Sequence, residues 1–146
     1  MRETGRRMPR GVRMAQGLWV LGFGIGTVSH LVDLASAGTA VYAGFPAPVR
    51  AFWVALTLLD PAVIALVLRR QRAGVALGAS VMVADVAVNG TMFATTGSLT
   101  ALGMTTQTIF LLAVALTAPL LWRWFGSTTA AVGPTMQGTA RPPTDS

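Results

Sequence analysis

Four long apolar runs, separated by short polar connections, constrain this chain more than any other feature. They occupy residues 14–35, 51–68, 73–95 and 105–122. A helix rises about 1.5 Å per residue, so roughly 20 residues cross a hydrocarbon core about 30 Å thick. Each run meets that length, the second by the smallest margin. Only 11% of the 146 residues are charged and 53% are apolar, whereas a soluble domain carries about 25% charged residues. A soluble fold of this size has too little interior to hide so much apolar surface. The sequence therefore predicts an all-α, polytopic integral membrane protein, a four-helix transmembrane bundle within residues 14–124. A basic tail, 1–13, would precede it, and a disordered tail rich in Gly, Thr, Ala and Pro, 125–146, would follow.

The arginines orient the bundle. All eleven basic residues are arginine. Arg2, Arg6, Arg7, Arg10 and Arg13 precede the first run; Arg69, Arg70 and Arg72 follow the second; Arg123 and Arg141 follow the fourth. Only Arg50 falls on the other side. Positive residues mark the cytoplasmic face, which predicts both termini in the cytoplasm. Abundant Ala, Gly, Val and Arg, with neither Lys nor Cys, fits a GC-rich bacterial genome and hence a bacterial inner membrane. Basic residues that flank apolar spans suit anionic lipid headgroups, and there is no basic domain to hold nucleic acid.

A second reading of the start treats residues 1–37 as a cleavable signal peptide, with Ala35-Ser36-Ala37 as the processing site and three spans left in the mature chain. His30 and Asp33 make a poor cleavage region, so four spans is the preferred expectation. Without cysteine there is no disulfide, thiolate metal site or cysteine nucleophile, and one histidine cannot build an all-histidine metal site. No metal and no cofactor is expected. Hydrolase, phosphate-loop and zinc-protease motifs are missing, and an enzyme is the less favoured class.

The informative residues are acidic. Of five acids, Glu3 and Asp145 lie in the tails, while Asp33, Asp60 and Asp85 lie in or beside apolar spans. An aspartate at a span centre costs about 2.5–3.5 kcal/mol, so such residues face the bundle interior and pair or serve a site. At about 100° per residue, Trp19, Gly22, Gly26, His30 and Asp33 share a face of the first helix. Trp53, Thr57 and Asp60 share one on the second; Gly78, Asp85, Asn89 and Met92 share one on the third. These stripes predict a polar pocket between helices one, two and three, with Gln107 at its rim. His30 can meet Asp33 one turn away, and Arg50 can reach Asp33 from the outer interface.

Asp60 and Asp85, short of positive partners, suit a proton, a cation or an amine; the pocket set is Asp60, Asp85, His30, Asp33, Asn89, Thr57 and Gln107. The competing reading is that these groups only glue helices together, at roughly 0.6 kcal/mol per contact. Pro61 frees the carbonyl of Thr57 beside Asp60. Trp53, Trp122 and Trp124 read as interface anchors. Gly22 and Gly26 form a small-xxx-small pair suited to close helix approach, within the bundle or in a homodimer. Three functions compete: a small protein that binds or transports a cationic or amphipathic ligand or protons; an intramembrane lipid enzyme using acid–base chemistry; and a non-catalytic assembly protein.

Overall fold

The computed structural model describes residues 7–97 and 99–129, and among them all regular structure is helical. Four helices follow one another: α1 (Arg10–Ala37), α2 (Ala47–Leu68), α3 (Arg72–Thr96) and α4 (Ala101–Thr129), with a short 3₁₀ segment at Gly38–Tyr42. All four are long and apolar enough to cross a membrane. Each packs against its neighbour in sequence and α4 closes on α1, the most sparsely packed seam between consecutive elements of that ring. Short connections make sequential neighbours antiparallel. The chain is thus a four-helix bundle of the multi-pass membrane type.

The helix ends follow local chemistry. Proline fixes φ and lacks an N–H, so it suits the first turn of a helix and ends others. α1 starts after Pro9, and α2 starts after Pro46 with Pro48 in its first turn. Gly38 (φ 56°) and Gly97 (φ 62°) end α1 and α3 in the left-handed region that glycine tolerates. α2 ends differently. The Gln71 N–H donates to Leu66 O and the Arg70 N–H to Val67 O, each at 3.0 Å. That pairing is the Schellman pattern, here with Arg70 at φ 56° where glycine is usual.

The helices outrun the predicted spans, because a helix can continue into the headgroup layer once the hydrocarbon ends. α1 begins at Arg10, inside the segment expected as a tail, and α4 continues to Thr129. Phe125 is fully buried and holds this last turn of α4 to the bundle. The rest of the expected tails, residues 1–6 and 130–146, lies outside the described residues.

The core consists of Trp19 and Phe23 from α1, Leu56, Val63 and Val67 from α2, Val75 from α3, and Val114, Leu121 and Phe125 from α4. At Gly74 the backbones of α2 and α3 come close: an added Cβ would lie 2.8 Å from the backbone nitrogen of Val67. Outside, Met14, Leu58 and Leu116 are 75–80% exposed. Large apolar side chains turned outward on every helix are what lipid, rather than water, solvates.

Candidate ligand-binding site

Away from the arginine-bearing end, the bundle is hollow. A cavity of about 660 Å³ opens between α1 and α4. Exposed Leu21 and Ile25 of α1 and Ile109 of α4 line its mouth, so it faces the lipid side of the bundle. Asp85 and Asn89 of α3 and Gln107 of α4 line the interior, with His30 and Asp33 of α1. The volume lies in the range of about 300–1,000 Å³ typical of small-molecule sites.

Asn89 organises the polar wall. Its Oδ1 accepts from Trp53 Nε1 at 2.8 Å. Its Nδ2 donates to Asp85 Oδ1 at 2.9 Å and to Gln107 Oε1 at 3.0 Å. Three helices therefore meet at one amide that is 4% exposed. The Asp85–Asn89 pair follows from i, i+4 spacing on one face of α3. Trp53 enters because α2 starts just before it and turns that face inward.

Asp33 has a different partner from those expected. The hydroxyl of Tyr42 donates to Asp33 Oδ2 at 3.0 Å. Tyr42 and Phe45 pack on the Trp53 ring, with centroids 5.1 and 4.7 Å away, so the 3₁₀ segment and the turn after it cap the bundle. Burial raises the Tyr42 phenol above its ordinary value, and the bond and charge of Asp33 raise it further. Arg50 is exposed and forms no ion pair with Asp33, and His30 forms no hydrogen bond with it. His30 Nδ1 is buried without a partner.

The expected pocket between helices one, two and three is displaced. α2 gives the cavity only Trp53, and Asp60 and Thr57 lie outside its lining. Asp60, 5% exposed, packs instead against Gly26; a Cβ there would collide with its Oδ2. The missing side chain lets α1 and α2 close over the carboxyl, which seals that seam. No hydrogen bond joins Asp60 to Asp85, and Asp60 has no hydrogen-bond donor among the described residues. The hydroxyl of Thr57 is buried and unpartnered. Gly22 also points inward, where a Cβ would run into the Phe110 ring.

Of the predicted residues, the structure gathers Asp85, Asn89, Gln107, His30 and Asp33 around one cavity and leaves Asp60 and Thr57 behind α1. Sequence reasoning missed Trp53, Tyr42 and Phe110 as site residues. Trp53, expected as an interface anchor, is 5% exposed inside the bundle. Its shared face with Asp60 was the available signal. Among the described residues no group of three or more His, Asp or Glu is placed to hold a metal.

An all-helical bundle with four spans and a laterally open, acid-bearing cavity defines a multi-pass membrane protein. No protein-family model matches the chain, and neither a curated protein nor a solved structure is significantly similar to it.

Proposed function

We propose that this protein binds a cationic amphipathic ligand drawn from the membrane. The observation that carries this reading is the combination of an apolar mouth between α1 and α4 with two carboxyls, Asp33 and Asp85, on the wall behind it. An alkyl chain entering between Leu21, Ile25 and Ile109 keeps its lipid-like surroundings. Its amine or quaternary ammonium head gains carboxylate partners in Asp33 and Asp85. Neither Asp33 nor Asp85 has an arginine partner among the described residues, so a ligand cation supplies the missing charge.

The test is binding of dodecyltrimethylammonium, against a neutral dodecyl glycoside, to the full chain in nanodiscs. The cation is expected to bind at least about tenfold more tightly, and Asp33→Asn with Asp85→Asn to remove that preference. Equal binding of both probes, or an unchanged preference in the double variant, refutes the reading. Uptake into sealed vesicles then separates transport from binding alone.

The lipid-enzyme reading draws on His30, a cavity residue whose tautomer no Nδ1 hydrogen bond fixes. Lipid extracts from cells carrying the native chain or His30→Ala would differ if it holds.

A further inference from the structure

The opposite end of the bundle has a second cavity, of about 460 Å³, with different chemistry. Arg7 and Pro9 border it ahead of α1, and Arg123, Trp124 and Ser127 border it from α4. Both arginines are exposed, and among the described residues neither is in an ion pair. The described acids, Asp33, Asp60 and Asp85, all lie in or beyond the middle of the spans, so no described acid neutralises this end. Two arginines at this end are already engaged. Arg72 Nε donates to Trp122 O at 3.0 Å, and the Arg70 guanidinium lies 5.5 Å from the Trp124 ring centroid. Arg7 and Arg123 are left to face the cavity.

Two guanidiniums around one hollow fit the oxygens of a phosphate; the Ser127 hydroxyl on its rim donates its proton to Trp124 O at 2.8 Å. The first turn of α1 adds to the field: its N-cap, Pro9, provides no side-chain cap for the opening N–H groups. What distinguishes a lipid phosphate from a free one is the remaining wall. Pro119 and Leu120 floor the cavity. One turn further into the membrane, Leu116 is 80% exposed and continues the same face of α4 as an apolar track. A headgroup at Arg7 and Arg123 would lead its acyl chain along that track, with Trp124 at the interface.

We propose that this end of the bundle is a binding site for one anionic phospholipid, its phosphate held between Arg7 and Arg123 and its acyl chain laid along α4. Basic pockets beside membrane helices suit such headgroups.

The full chain, purified in mild detergent, is titrated with phosphatidylglycerol, phosphatidylcholine or inorganic phosphate and examined by native mass spectrometry. One phosphatidylglycerol is expected to remain bound per chain, with phosphatidylcholine at least about tenfold weaker. Arg7→Gln with Arg123→Gln is expected to weaken phosphatidylglycerol binding by about thirtyfold, and Arg50→Gln at the other end to leave it unchanged. Equal retention of the two lipids, or equal loss in both variants, overturns the site. Displacement of phosphatidylglycerol by millimolar inorganic phosphate overturns the lipid assignment. A second measurement needs no variant. In vesicles, phosphatidylglycerol brominated near the glycerol is expected to quench tryptophan fluorescence more strongly than phosphatidylcholine brominated at the same carbons; equal quenching counts against the proposal.

Discussion

The two halves of this bundle use the same helices for opposite ends. Toward the arginines, α1–α4 interlock. Trp19 is fully buried, its Nε1 donates to Thr117 Oγ1 at 2.8 Å, and its ring occupies the space left by Gly78. Gly74 brings the backbones of α2 and α3 together. Toward the acids, glycines serve another purpose: Gly26 makes room for a carboxyl and Gly22 for the Phe110 ring. There α1 and α4 part around a cavity. Close packing, not lipid avoidance, holds membrane helices together. A bundle that hollows one half must therefore be fastened by the other, and the packed half is the fastening.

The comparison breaks most sharply at Trp19 and Gly74. Trp19→Ala opens a large void and removes the bond to Thr117 Oγ1, whose own proton stays on Ala113 O, so the loss of stability is expected to be about 3–5 kcal/mol. Gly74→Val forces a side chain onto the Val67 backbone, which cannot yield, with an expected cost of about 3 kcal/mol. Gly24→Ala is the control: a Cβ there meets nothing within 4 Å, and the change is expected to stay within about 1 kcal/mol. Reversible unfolding in mixed micelles of mild and denaturing detergent measures all three. A Trp19→Ala protein as stable as the native chain would mean that the packed half is not the fastening.

At the hollow half the corresponding residue is Asn89. Asn89→Leu removes three hydrogen bonds and strands Trp53 Nε1, Asp85 and Gln107. At roughly 0.6 kcal/mol for each bond in a membrane bundle, the expected loss is about 2 kcal/mol, smaller than at Trp19. Binding should suffer more than stability, because Asp85 and Gln107 would no longer be held at the cavity wall. If stability falls as far as for Trp19→Ala while cation binding persists, the polar network is structural glue and the contrast between the halves fails.

The sequence carried the four-helix fold almost completely, because span length and prolines act locally. Helix ends at Arg10 and Thr129 escaped it, since a helix that leaves the hydrocarbon gives no hydropathy signal. The site was only partly readable. Periodicity put Asp85 and Asn89 on one face, Gln107 was expected at the rim of the same pocket, and the three meet. It also put Asp60 inward, correctly, but inward is not the same as into a cavity. Whether Asp60 faces Gly26 or open space depends on how closely α1 and α2 approach, a distance that no single-helix pattern contains. Tyr42 was hidden for a related reason: a loop folded back over the bundle brings together residues that share no helix.

The smallest expected effect is also the most local. Tyr42 is the only tyrosine in the chain, so tyrosinate absorbance reports on it alone. Its phenol lies 3.0 Å from Asp33 Oδ2 and is 7% exposed. Burial and the aspartate both oppose ionisation, so its pKa in the folded chain is raised above the unfolded value of 10.0. The stability this contributes is present in full below that unfolded value and is lost as pH rises through the folded one. The native chain should therefore weaken under strongly alkaline conditions, and the absorbance change should coincide with, rather than precede, that weakening. Tyr42→Phe gives up one bond, about 0.6 kcal/mol, and should lose this tyrosine's part of the alkaline dependence. Asp33→Asn keeps an acceptor but removes the charge, and should shift the Tyr42 titration toward 10.0. A Tyr42 that titrates normally in the native chain would mean that the cap does not close over the cavity, and the hollow half would then be open at its end as well as at its side.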